Sequence, residues 1–236
     1  MGGRMSKLDK AVAAVERRGI LLVFPVANRP EPRSLWSELH PRTVMRWEWD
    51  QDGDPKVHDL WHVRAELARS RRVVYGKWWK NRATVFSRAV FRAMLGDLLA
   101  RGDLIEGLGA NARRLLDLLE DDSPQSTKAL RRASGLADPP FQSALKTLWS
   151  RLLIVGVGEV DDGSFPSLAV GATRLLFEDE WNAASAGVSA ADREALAAAL
   201  AGSAPFAREL DRVRATLTAA ETYPDVIYGP LERRRA

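Results

Sequence analysis

The chain contains no cysteine, which removes disulfides, thiolate metal sites and thiol nucleophiles from consideration. It has only three histidines, His40, His58 and His62, so imidazole chemistry has few places to occur. Its longest apolar runs, such as residues 20–26, fall far short of the roughly 20 residues that a membrane-spanning helix needs. No secretory pattern opens the sequence, and the short match to a myristoylation pattern at Gly2 and Ser6 stands alone. Neither the phosphate-cradling GxxxxGK[ST] run nor GxGxxG occurs, so no nucleotide cofactor is indicated. These absences point to a cytoplasmic protein with no cofactor and no membrane partner.

What is present is unevenly distributed. Residues 1–110 carry 20 Lys and Arg against 13 Asp and Glu, and the remainder carries 15 against 18. Six of the eight tryptophans also lie in that first part: Trp36, Trp47, Trp49, Trp61, Trp78 and Trp79. The concentration peaks in residues 69–92, RSRRVVYGKWWKNRATVFSRAVFR, with eight cations, no acid and five interleaved aromatics. Cations beside aromatic platforms suit a nucleic-acid backbone and its exposed bases. They equally suit a hairpin with one solvated face and one packed face.

The order of elements is legible. Ser6 with Asp9 starts a helix that Gly19 stops, and residues 20–26 read as a buried strand or extended segment. A short helical turn occupies 34–39, and residues 43–49 alternate as a strand does. A helix over 56–69 has Leu60, Trp61, Leu67 and Ala68 as its expected apolar face. Residues 72–86 form a hairpin, on whose strand Trp78 and Trp79 must point to opposite faces. Ser87 then caps a helix. Residues 111–120, 126–134 and 138–152 read as three helices, followed by two strands around Asp161 to Ser164. Three helices and a hairpin describe a winged helix over 111–172. Helices and an extended tail fill 173–236. The expected class is α+β, predominantly helical, with a winged-helix module and β-hairpins packed against a basic, Trp-rich region over 1–110. That region also has a helix followed by a hairpin, as a degenerate second winged helix would.

Several constellations could carry chemistry. Arg71, Arg72, Lys77, Lys80 and Arg82 are expected to contact phosphates, with Trp78 or Trp79 stacking on or wedging beside a base. In the third helix of the trio, Gln142, Ser143, Lys146, Thr147, Ser150 and Arg151 are expected on the exposed face, and Gln142 and Lys146 could read base edges. The wing, with Glu159, Asp161 and Asp162, would repel phosphates. His58 and His62 stand one helical turn apart with Asp59 between them, but no third ligand is evident, so no metal site is assigned. Glu48 and Asp50 are the weak candidates for a carboxylate able to activate water or stabilise an oxocarbenium-like centre.

The runs FPVANRPEPRSLW, MRWEWD and LWHVRAELARSRRVVYGKWWKNRATVFS resemble the bacterial AlkZ-related family. Those proteins are relatives of the winged-helix DNA glycosylases that excise alkylated or crosslinked bases. The resemblance implies DNA binding through packed winged helices without metal or cofactor. It does not bring the glycosylases' pair of glutamines around one apolar residue. Gln51, Gln125 and Gln142 form no such triplet, and Asp50-Gln51-Asp52 inverts its polarity. The reading is a DNA-binding protein linked to base-damage repair, with catalysis left open. Its rivals are a winged-helix transcriptional regulator and a protein-interaction module without DNA affinity. Oligomeric state is not legible.

Overall fold

The computed structural model describes residues 5–47, 53–162 and 166–218. Glu48, Trp49, Asp50, Gln51 and Asp52, the tip of the anticipated wing and the tail beyond residue 218 lie outside them.

Helix α1 (Lys7–Arg18) begins where Ser6 accepts from the Asp9 amide and ends at Gly19, whose φ of 76° suits glycine. Strand β1 (Ile20–Leu22) leads to α2 (Leu35–Leu39), started by a reciprocal Ser34–Ser37 cap. Helix α3 (Pro55–Ser70) takes Asp54 as N-cap and a proline in its first turn, where no amide is missed. Strands β2 (Val74–Gly76) and β3 (Thr84–Phe86) form the expected hairpin, with a 3-10 turn at Trp79–Asn81 between them. Ser87 caps α4 (Arg88–Leu99).

Next come α5 (Ala110–Asp121), the short strand β4 (Gln125–Ser126), α6 (Thr127–Ser134) and α7 (Asp138–Ser150). The long hairpin strands β5 (Ile154–Val160) and β6 (Ser167–Ala172) follow. Four C-terminal helices close the described chain: α8 (Thr173–Leu176), α9 (Glu178–Ala186), α10 (Ala190–Ala201) and α11 (Ala204–Thr218). The protein is therefore α+β and mostly helical, and none of its described helices is long and apolar enough to cross a membrane.

The six strands among the described residues join one antiparallel sheet in the order β1-β3-β2-β5-β6-β4. The seam between the two hairpins is a single pairing, Tyr75 with Gly156. Glycine is required there by close approach, because a Cβ on residue 156 would lie 2.5 Å from the Tyr75 ring. The N-terminal strands divide two cores. Ile20, Leu22, Val74 and Phe86 face one, and Leu21, Val23, Tyr75 and Val85 face the other. Burial on both faces explains why residues 20–23 are unbroken apolar sequence rather than alternation. The strand ends at Leu22, short of the expected residue 26, and Phe24 and Val26 are only partly buried. The larger core gathers α4, α5, α7 and α11; the smaller gathers α1, α2 and α3.

Four expectations are corrected. Residues 43–47 form no strand, because side chains satisfy the backbone instead. Asn28 both donates to the Met45 carbonyl and accepts from its amide, and the Trp36 indole donates to the Thr43 carbonyl. Trp61 is 43% exposed, not part of the buried face of α3. Arg151 is buried, donating to the carbonyls of Leu104 and Glu106, so it ties down the loop before α5. Trp78 and Trp79 both enter the larger core. They lie at the 3-10 turn, where Trp78 has φ −66° and ψ −53°, so strand alternation does not apply to them.

Candidate nucleic-acid interface

The eight cations of residues 69–92 divide by what they meet. Arg88 donates to both oxygens of Glu180, at 2.5 and 2.9 Å, and Arg92 to both oxygens of Asp192, at 3.1 and 2.7 Å. These pairs bind α4 to α9 and α10, and the bonds to Glu180 raise the Arg88 pKa above its ordinary value. Arg69 donates to the Glu159 carbonyl at 3.0 Å, and Arg72 pairs with Asp9 at 2.7 Å. Arg71, Lys77, Lys80 and Arg82 have no carboxylate partner among the described residues. Arg71, Lys80 and Arg82 are exposed, and Lys77 is half-buried. Arg71 at the end of α3 and Lys77, Lys80 and Arg82 on the hairpin thus stay available, whereas α4 binds Arg88 and Arg92 internally.

The five cations expected on phosphates do not form one cluster. Arg71 and Arg72 sit where α3 turns into β2, and Lys77, Lys80 and Arg82 sit around the far end of the hairpin. An extended strand separates the two groups by roughly 15 Å. Lys80 lies over the Trp79 ring at 4.9 Å, and the Trp79 indole donates to the Pro205 carbonyl at 3.2 Å. Both Trp78 and Trp79 pack against Phe206 of α11, with ring centroids 6.2 and 6.5 Å away. At 2% and 6% exposure neither ring offers a face to a base in this conformation; they anchor the hairpin turn to the C-terminal helix.

A second group lies beside the first, and the sequence reading missed it. Trp61 on α3 stands 6.4 Å from Phe24, which stands 5.3 Å from Trp47. The Arg64 guanidinium lies 4.0 Å from the Trp61 ring centroid and is itself 8% exposed. Arg64 donates to the Glu159 carboxylate, while its Nε has no partner. The Tyr75 ring is 6.0 Å away, its hydroxyl buried and unpartnered. Burial, and then the Arg64 charge, hold the Lys77 pKa below the ordinary lysine value. The signal was in the helical wheel. Trp61 shares its side of α3 with His58 and His62 rather than with Leu67, and Arg64 follows it at the i+3 position that lets a cation meet a ring.

The remaining candidates separate. On α7, Gln142, Ser143 and Lys146 are exposed; Gln142 donates to Asp138 at 3.4 Å, and Lys146 has no ion-pair partner among the described residues. Two of the three acids expected to make the β5–β6 hairpin repel phosphates are paired. Glu159 holds Arg64, and Asp162 pairs with Lys128 at 3.2 Å. Hydrogen bonds from Ser126 and Ser167, with Lys128, bring the Asp162 pKa down to about 2. His58 and His62 approach Nε2 to Nε2 at 2.8 Å, but no group of three metal-ligating side chains occurs among the described residues.

A profile of the AlkZ-related family, described as AlkZ related, matches residues 5–200, and so takes in the hairpin, both strand pairs and the helices up to α10. No curated protein and no solved structure matches the chain.

Proposed function

The chain belongs to the AlkZ-related family, and from that premise we propose that it is a DNA-binding protein of base-damage repair, acting in the cytoplasm on DNA gripped by the β2–β3 hairpin and the turn that leads into it. The observation that carries the proposal is the set of four cations there, Arg71, Lys77, Lys80 and Arg82, left without carboxylate partners while neighbouring Arg88 and Arg92 are bound internally. Phosphates are the partners such cations lack. Family membership supports the repair setting.

We read residues 111–172 as the winged helix. The order helix, short strand, helix, helix, hairpin supports it, as does the pairing of β4 with β6. The neutralised acids of its wing remove the repulsion that the bare sequence suggested. Base excision is not part of the proposal, since no Gln-apolar-Gln triplet occurs in the chain. Glu48 and Asp50, which follow Trp47 in the chain by one and three residues, are where a catalytic carboxylate would be sought. A second reading rests on α7: exposed Gln142 and unpaired Lys146 could read base edges as a regulator does.

The test is binding of labelled duplex, abasic and mispaired DNA across a salt series. Affinity that falls with salt is expected, and a flat response or no binding overturns the proposal. A change of sequence preference in Lys146→Ala would favour the regulator. Incubation with alkylated DNA, followed by a scan for abasic sites, decides whether the protein also cleaves.

A further inference from the structure

We infer that Trp61 is a stacking platform for an unpaired base, so that the protein prefers single-stranded or locally opened nucleic acid to intact duplex. The inference rests on the DNA-binding reading above and deepens it by naming the form of substrate. It departs from the sequence, which would give the role to Trp78 or Trp79.

Three observations point to Trp61. It is the exposed member of an aromatic trio with Phe24 and Trp47, at 43% exposure on a helix whose other large apolar side chains are buried. A ring left open to that extent has a face on which a flat partner can stack. Its support is built. Arg64, more than nine-tenths buried, lies against the ring at 4.0 Å and is held by Glu159 of the β5 strand, so the ring's position is set by the sheet seam and not by α3 alone. With the guanidinium against the ring, the exposed area belongs to the rest of the indole.

The third observation is charge, which selects the occupant. Beyond Arg64, Lys77 is near enough for the Arg64 charge to act on it, and Arg82 precedes Ala83, whose carbonyl accepts from the amide of Val23, the residue before Phe24. An apolar protein surface would gain nothing from meeting them, whereas a nucleotide presents a flat base to the indole and a phosphate to the amine. A duplex offers no free base face except at its ends, so only a single strand, a bulge or an opened mispair can use both groups. Base–aromatic stacking of this kind contributes roughly ten- to hundredfold in affinity per base.

The experiment measures, at one salt concentration, the affinity of the full chain for a single-stranded oligonucleotide, the matching duplex, and that duplex with a two-nucleotide bulge. A 2-aminopurine in the bulge reports stacking by loss of fluorescence. The expected result is tighter binding of the bulged and single-stranded forms, with quenching. In Trp61→Ala that preference falls at least tenfold while duplex affinity holds, and in Trp61→Phe part of it returns. A thermal melt shows that both variants are folded, which exposure of residue 61 leads us to expect. Equal affinity for all three forms, or a preference untouched by Trp61→Ala, overturns the inference while leaving the DNA-binding reading intact. Loss of a dimer on Trp61→Ala overturns it by showing that a second copy covers the ring. No binding to any form overturns both.

Discussion

If the protein binds DNA as proposed, the salt dependence of that binding follows from which cations of residues 69–92 the fold leaves free. If all eight basic side chains of residues 69–92 met phosphates, the logarithm of affinity would fall with the logarithm of salt at a slope of about −7, and a rise from 50 to 200 mM would weaken binding by roughly 20,000-fold. The structure removes Arg88 and Arg92 to Glu180 and Asp192, Arg69 to the Glu159 carbonyl and Arg72 to Asp9. Four cations then give a slope of about −3.6 and a loss of roughly 150-fold over the same range. Fluorescence anisotropy with a labelled duplex across that salt range measures the slope directly. Lys80→Ala with Arg82→Ala should halve it, to about −1.8. Arg88→Ala should leave the slope where it was and lower the melting temperature instead, because Glu180 at 2% exposure loses its main partner. A wild-type slope steeper than about −6, or a slope unchanged in the Lys80 and Arg82 double variant, would refute the assignment of free and bound cations.

Four further outcomes follow from the packing. Trp78→Ala should cost about 3–5 kcal/mol in urea unfolding, since its ring is buried between Phe86 and Phe206; little loss of stability would mean that the hairpin turn is not anchored there. Gly156→Ala should cost about 1–3 kcal/mol by pressing a methyl against the Tyr75 ring at the sheet seam, read as a lowered urea midpoint. Glu180→Gln should cost about 1–3 kcal/mol, less than a fully buried pair would, because the Arg88 side chain is 43% exposed and solvent screens it. Asp162 has a folded pKa of about 2 against an ordinary 3.8, a depressed value, so its contribution is present above about pH 4 and disappears as pH falls through 2. Urea midpoints between pH 5 and 2 should therefore drop less steeply in Asp162→Asn than in the wild type.

Much of the fold was legible because local signals agreed. Ser6 and Ser87 each cap the helix they precede, and the apolar residues Phe141, Ala144, Leu145, Leu148 and Trp149 form the buried face of α7 at helical spacing. Where the sequence misled, a tertiary contact overruled the pattern. Residues 43–47 alternate like a strand, but Asn28 takes the hydrogen bonds that a neighbouring strand would supply. The Trp78-Trp79 pair could be sorted to two faces only while it was thought to lie on a strand; at a 3-10 turn, one side chain on α11 receives both. Arg151 looked solvent-exposed by its type, yet two backbone carbonyls 45 and 47 residues earlier in the chain hold it inside. None of these partners lies within the window over which periodicity can be read.

The candidate site was harder to read, because charge pairing is a property of the fold and not of composition. Residues 1–110 carry a basic surplus and the wing looks acidic, which suggests that one attracts DNA and the other repels it. In the structure the two cancel where they meet. Arg64 and Arg69 of α3 engage Glu159 by its carboxylate and its carbonyl, so these cations are withdrawn from any phosphate and that acid from any repulsion. The same contact fixes Arg64 beneath Trp61 at the edge of the seam. The β5 strand therefore bears on the candidate interface through what it holds in position, and the charge left for a partner there is the local remainder around Arg71, Lys77, Lys80 and Arg82. That remainder lies on the hairpin and on the turn before it, the hairpin being the one whose strand β2 joins β5 through Tyr75 and Gly156.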